Sequence, residues 1–257
     1  INIQKGDKVC AFIHVKNLND QEYVDNHYLI FATKNGLMKK TTLESYSRPR
    51  ANGIIALGLR EDDRLIRVTL TDGKSQMLVA SYNGKVVRFP EETIRPMGRT
   101  ASGVRAIKLD EDGKDCVVGM ICVEEGSKDT VLVISNKGYG KRTALDDENG
   151  EPIYRITNRG GKGVKTINIT DKTGNLIGME AVNDDQDLML ITKSGTAIRM
   201  PMTSISVLGR ATQGVKLIEL QKRNDTLMFG CVVPKEEQEE VVESAEATAE
   251  ETTTAEE

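Results

Sequence analysis

An all-β array of four-stranded blades, stacked radially as in a propeller, is the fold this sequence predicts. Three observations predict it. One set of features recurs four times, at spacings of 48, 54 and 57 residues. Each copy divides into short runs rich in β-branched and apolar residues. Turns built around glycine separate the runs, as tight hairpins require.

The copies align on Gly36, Gly84, Gly138 and Gly195. An apolar run precedes each glycine (LIFAT, MLVAS, VLVIS, LMLIT), closing on Thr33, Ser81, Ser135 or Thr192. A second run follows the turn and carries a cation four residues past the glycine: Lys40, Arg88, Arg142 and Arg199. A loop then places Arg50, Arg99, Arg159 or Arg210 shortly before a second glycine (Gly53, Gly103, Gly163, Gly214). That glycine opens a third run (GIIALGL, GVRAIKL, GVKTINI, GVKLIEL), and a polar turn leads to a fourth (RLIRVTL, CVVGMICV, NLIGMEAV, TLMFGCVV). Four blades are thus expected at about 28–73, 76–126, 130–185 and 187–234. A lone four-stranded sheet has uncovered faces, and radial stacking buries them.

Outside the repeats, residues 1–17 match only the end of a unit and are expected to form a partial blade, 18–27 a polar linker. A start at Ile1 inside a unit suggests a fragment whose upstream part is missing. The tail, 235–257, holds one lysine and ten glutamates with no aromatic residue. It cannot repay its ordering entropy and is expected to be disordered. Without it, residues 1–234 carry 34 cations against 29 anions, a net of +5. A basic body with an acidic tail points to a polyanionic partner.

Sites for chemistry are sparse. Four cysteines lie far apart with no CxxC pair and are read as reduced core thiols. His14 and His27 are the only histidines and suggest neither metal nor acid–base work. The TDGKS segment ends like a phosphate loop, but Val68 stands where its first glycine is required. The acidic turns at 110–113 and 146–150 lack the spacing of a calcium loop and are read as solvated turns. No apolar run approaches the roughly 18 residues of a membrane span. The absence of tryptophan argues against Trp-Asp repeats.

The cations stand out by their phase. Lys40, Arg88, Arg142 and Arg199 repeat in the strand, and Arg50, Arg99, Arg159 and Arg210 in the loop. Arg105, Lys165 and Lys216 follow two residues past the second glycine. Lys39, Arg48, Lys141 and Lys162 flank these positions and complete the candidate set. In a radial array equivalent positions recur around the rim, so these charges are expected to trace a curved basic band for duplex DNA. Aromatic residues are only 4% and not interleaved with the cations, which disfavours stacking on single-stranded bases.

The hairpins NGKVVRF (83–89) and NKGYGKRTAL (136–145) and the segments GRTASGVRAIKL (98–109) and LGRATQGVKLIEL (208–220) resemble the C-terminal domain of DNA gyrase A subunits. The resemblance runs from Ile1 to about Pro234. It implies a β-pinwheel, a propeller-like disc whose neighbouring blades exchange strands and whose basic rim wraps double-stranded DNA. It also implies a cytoplasmic bacterial type II topoisomerase. The implied protein partners are a second A subunit, together with the gyrase B subunit. The fragment itself is then no enzyme and holds no cofactor; ATP, Mg and the cleavage tyrosine belong elsewhere in the holoenzyme. The family's diagnostic box, Gln-Arg-Arg-Gly-Gly-Lys/Arg-Gly, is expected in a blade upstream. Asn158–Gly163 resembles a degenerate copy in a later blade and is expected to contact phosphate. Alternatives are the corresponding domain of topoisomerase IV A subunits, or a propeller used as a protein-interaction scaffold.

Overall fold

A computed structural model describes residues 6–111, 113–220 and 224–235. The acidic tail beyond 235 lies outside the described residues. Fifteen strands appear among them. Each unit begins with a hairpin: β1 (Tyr28–Thr33) with β2 (Leu37–Thr42), β4 (Gln76–Ser81) with β5 (Lys85–Pro90), β8 (Thr130–Ser135) with β9 (Tyr139–Ala144), and β12 (Gln186–Thr192) with β13 (Ala197–Pro201). On the other side of the first hairpin strand lies the long final strand of the unit: β3 (Leu65–Thr71), β7 (Val117–Val123), β11 (Leu176–Val182) and β15 (Leu227–Pro234). The hairpin glycines turn at φ of 84, 75, 78 and 87°, a conformation that side chains resist.

The third strands pair outside their own units. β6 (Val104–Arg105) adds to β2, β10 (Val164–Lys165) to β5, and β14 (Val215–Lys216) to β9. The sheet orders are therefore β3-β1-β2-β6, β10-β5-β4-β7 and β11-β8-β9-β14, while the fourth sheet has three described strands, β13-β12-β15. The second, third and fourth units each hand their third strand to the sheet before them, the exchange that the resemblance implies. These strands are two residues long, not the seven-residue runs read from the sequence. The chain leaves the sheet because the next amide turns to the hairpin glycine of the recipient unit: Ala106 N donates to Gly36 O, Thr166 N to Gly84 O and Leu217 N to Gly138 O, each at 2.8 Å.

Two segments expected to form strands do not. Residues 6–17 form none, and GIIALGL (53–59) forms none, leaving Ile55 and Leu59 exposed. A third strand needs the hairpin edge of a preceding sheet, and no described residues supply that edge to the first unit.

Cores lie between successive sheets. Met77 and Val79 of β4 pack with Ile30, Ala32 and Met38 of the first sheet. Alternate residues Leu78 and Ala80 pack with Val131 and Val133 of the third. Leu132 and Ile134 of β8 face the opposite way, toward Leu188 and Leu190 of the fourth. Period-2 alternation thus gives an interior blade two buried faces, so its strands read as continuous apolar runs. On the outer face of the first sheet, Leu29 and Phe31 of β1 pack with Leu43 and with Val24 of a short helix, α1 (Gln21–Asp25). Among the described residues no helix is long and apolar enough to cross a membrane.

The second glycines allow the exchange. A Cβ on Gly103, Gly163 or Gly214 would lie 2.4, 2.5 or 2.6 Å from the carbonyl oxygen of Met38, Val86 or Gly140 in the recipient strand. Their φ values of 95, 73 and 77° add to the demand for glycine. Gly163→Ala is therefore expected to cost about 2–4 kcal/mol, combining left-handed strain with a backbone clash. Gly161→Ala, whose Cβ would meet nothing nearer than Asn158 O at 3.6 Å, should stay within about 0.5 kcal/mol. Paired denaturant melts measure both. Equal stabilities for the two variants would contradict the close approach.

Candidate nucleic-acid interface

Three recurring positions in each unit decide where the charge goes. At the exchanged edge, Arg105, Lys165 and Lys216 stand in the same register, opposite Leu37, Lys85 and Tyr139. All three are exposed. Two of the loop arginines, Arg159 and Arg210, lie beside them because each reaches back across a unit boundary. Arg159 donates from Nε to Thr93 O at 3.2 Å and from Nη1 to Arg105 O at 3.4 Å. Arg210 donates from Nη1 to Lys165 O at 2.6 Å. Arg105 with Arg159, and Lys165 with Arg210, therefore form two equivalent cation pairs on successive sheets.

Around these pairs, Arg48, Arg50, Arg159 and Lys162 are exposed, and Arg99 and Arg210 half-buried. Arg48, Arg50 and Arg99 share a shallow polar cavity with Glu44, Ser45 and Ser47 at the boundary of the first two units. Among the described residues, no group of three or more His, Cys, Asp or Glu side chains converges to hold a metal ion.

Lys39, Lys40, Arg88, Lys141 and Arg142 correct the sequence reading: all five are buried and none presents its charge to solvent. Their phase is real, but its cause is a repeated contact between units. Lys40 Nζ pairs with Glu91 of the next unit at 2.7 Å. Arg88 Nη1 pairs with Asp146 at 2.8 Å and also donates to Leu145 O. Arg142 Nη1 pairs with Asp184 of its own unit at 2.5 Å, while its Nε donates across the boundary to Ile205 O at 2.9 Å. The backbone joins at the same residues, since Met97 N, Thr157 N and Leu208 N donate to the carbonyls of Lys40, Arg88 and Arg142. In the last unit Arg199 turns to its own sheet, pairing with Asp187 at 2.7 Å and donating to Pro234 O at 2.8 Å.

Lys39 and Lys141 are held differently, by carbonyl oxygens. Lys39 Nζ donates to Ala56 O at 2.5 Å and Arg99 O at 2.7 Å. Lys141 Nζ donates to Gly209 O and Arg210 O. Burial, aided by the nearby Arg99 or Arg210 charge, pushes each ammonium down to about 8 from its ordinary 10.5.

The acidic partners were missed by the sequence reading. Asp146 and Asp110, assigned to solvated turns, instead neutralise Arg88 and Lys85, the latter at 2.5 Å. One signal could have found Glu91. Seven residues past the hairpin glycine the other units carry Leu43, Leu145 and Met202, all buried, so a glutamate in that apolar column requires a buried cation.

Comparison with known proteins fits this architecture. The family described as DNA gyrase C-terminal domain, beta-propeller, matches four times, at residues 27–72, 76–124, 129–183 and 186–229. The A subunit of DNA gyrase from Staphylococcus aureus strain MRSA252 is 41% identical over 251 residues, covering 98% of this chain and 27% of that protein. The same protein from strain NCTC 8325 is 43% identical over 220 residues, covering 86% of this chain and 23% of that one. The chain thus spans about a quarter of the length of these relatives. A crystal structure of the C-terminal domain of DNA topoisomerase IV superposes with a TM-score of 0.73 at 23% identity, covering 81% of this chain and 62% of that one. A DNA gyrase A C-terminal domain gives 0.68 at 23% identity, covering 81% and 66%. With four matches in sequence, strands exchanged between units and close curated relatives, the chain belongs to the DNA gyrase C-terminal domain, beta-propeller, family.

Proposed function

We propose that this chain binds and wraps duplex DNA as a module of a gyrase A subunit. In the assembled enzyme, with a second copy of that subunit plus the gyrase B subunit in the bacterial cytoplasm, it supports ATP-dependent negative supercoiling. The catalytic groups, Mg and ATP are assigned to other parts of that enzyme, and this chain contributes only binding. The observation that carries the proposal is the equal register of Arg105, Lys165 and Lys216, with Arg159 and Arg210 docked beside their neighbours across unit boundaries. Cations repeated at one edge of successive sheets offer a duplex a succession of phosphate contacts, and each neutralised phosphate releases condensed counterions. Bending a 20–30 base-pair segment by 40–90° costs on the order of 1–6 kcal/mol, which a few charge-assisted contacts offset.

Binding is expected to tolerate any sequence, because phosphate contacts position a duplex without reading its bases. With about six contacts engaged, log K should fall against log salt with a slope of about −5, a loss of roughly a thousandfold between 50 and 200 mM salt. A fluorescence-anisotropy titration of linear duplex checks this. A salt-independent curve, or no binding, would favour a protein-interaction scaffold instead. The fold likeness to the topoisomerase IV domain supports a second reading within the same class. Supercoiling of relaxed plasmid by the holoenzyme separates the two, since only gyrase is expected to introduce negative supercoils.

A further inference from the structure

We propose that Lys39 and Lys141 are positioning residues of the DNA-binding surface: each buried ammonium holds the backbone of the arginine in the next unit's loop, Arg99 or Arg210, and so fixes where that guanidinium meets phosphate. The inference rests on the duplex-binding function proposed above. Its basis is that both lysines use their donors on the main chain of the very residue whose side chain lies at the surface. Lys39 joins Arg99 O to Ala56 O, and Tyr46 Oη donates to the same Ala56 carbonyl at 2.8 Å. Lys141 joins Arg210 O to Gly209 O. The equivalent position in the second unit is Val87, which is buried and has no donor. Arg159, in the loop that follows, has no ammonium behind its backbone: its guanidinium donates to Thr93 O and Arg105 O, and the next amide, Gly160 N, donates to Ala106 O at 2.7 Å. The molecule therefore contains its own control: two loop arginines with a buried lysine behind them and one without.

The surroundings make the support sensitive to pH. Lys39 faces the Tyr46 hydroxyl at 3.5 Å, the Phe31 ring at 4.8 Å and the Arg99 charge. Lys141 faces the Arg210 charge. Among the described residues neither ammonium has a carboxylate partner. The phenols near these two arginines, Tyr46 and Tyr154, are pushed up by burial and stay neutral through the relevant range. Both lysines therefore lose a proton near pH 8, whereas in the unfolded chain they keep it to about 10.5. Between those values the unfolded chain binds more protons, so each lysine makes the fold more stable as pH rises. The loop loses its charge-assisted hold over the same interval, because a neutral amine donates more weakly. Stability and DNA affinity should therefore move in opposite directions, which a purely structural lysine would not produce.

The test is duplex binding by the full chain, monitored by anisotropy at fixed ionic strength between pH 6.5 and 9.5, with thermal melts alongside. Arg99→Ala, Arg210→Ala and Arg159→Ala are each compared with the unaltered protein. Affinity of the unaltered protein is expected to fall roughly three- to tenfold as pH passes about 8, the loss expected of one or two contacts of ordinary hydrogen-bond strength. The penalty for Arg99→Ala and for Arg210→Ala should shrink over that interval, while the penalty for Arg159→Ala stays constant. Lys39→Met/Lys141→Met should abolish the pH step. If that variant does not fold, the arginine comparison, made with both lysines intact, still decides. Three penalties with the same pH response, or duplex binding with no pH step, would overturn the proposal. An absence of duplex binding at every pH would instead remove the function on which it rests.

Discussion

Replacing Arg99, Arg159 and Arg210 together by glutamate is expected to weaken duplex binding by on the order of a thousandfold, taking about tenfold for each reversed charge. The salt slope should become shallower by about 2.7, the loss of three phosphate contacts. The sheets should survive, because the three side chains lie on loops, and the hydrogen bonds of Arg159 and Arg210 go to exposed or half-buried main-chain carbonyls of the neighbouring unit. A melting temperature within a few degrees of the unaltered protein is expected, since surface changes of this kind cost little. Lys162→Glu alone should weaken binding by about tenfold and reduce the slope by about 0.9. Affinity unchanged by the triple reversal would remove the loop arginines from the interface. Lost affinity with an unchanged salt slope would mean that the change acted through folding.

The hairpins were legible because their chemistry is local. Glycine at each turn, a hydroxyl three residues before it and an apolar run on one side specify a tight two-stranded unit within about fifteen residues. The exchange of third strands was not legible from the residues alone. It depends on which sheet edge a two-residue strand meets, and Val104–Arg105 would suit its own unit as well as the preceding one on local pattern. The charges divided along a similar line. Arg105, Lys165 and Lys216, which recur in phase, stand in the same register on three successive sheets, but phase did not give direction. Lys40, Arg88 and Arg142 recur in phase at the joint between units, where each bonds the next unit through a different partner (Glu91, Asp146 and Ile205 O), and recurrence alone does not separate a repeated surface from a repeated joint. Columns through the repeat separate them only where a charge interrupts an apolar column, which the all-cation column of Lys40, Arg88, Arg142 and Arg199 does not show. Three residues past the hairpin glycine stand Lys39, Val87, Lys141 and Ile198, and seven residues past it Leu43, Glu91, Leu145 and Met202. A charged residue sharing a column with branched apolar ones marks a buried position whose charge requires a partner, and Lys39, Lys141 and Glu91 are indeed buried.

Lys40→Met is expected to cost about 3–5 kcal/mol, because it strands a buried carboxylate. Glu91 is 0% exposed, and its Oε1 accepts from Lys40 Nζ at 2.7 Å and from Thr71 Oγ1 at 2.7 Å. Ser75 N donates more distantly to Oε2, at 3.4 Å. Removing the ammonium leaves one hydroxyl and one long amide bond to hold a full negative charge in the joint between the first two units. Adding Glu91→Leu should recover most of the loss, to within about 1–2 kcal/mol of the unaltered protein, since leucine is what the first and third units place in that column and well-packed apolar groups replace buried ion pairs at little cost. Glu91→Leu alone should also destabilise, because it leaves the buried Lys40 ammonium without its carboxylate. The double-mutant coupling measured by denaturant unfolding should therefore exceed the loss that the second change recovers and lie well above the roughly 0.5 kcal/mol expected of independent sites. The doubly substituted chain should bind duplex with an unaltered salt slope, because neither residue reaches the surface. If Lys40→Met instead reduced the slope by about 0.9 while leaving stability intact, Lys40 would be a phosphate contact after all and the joint between units would have to be held by its backbone bonds and apolar packing alone.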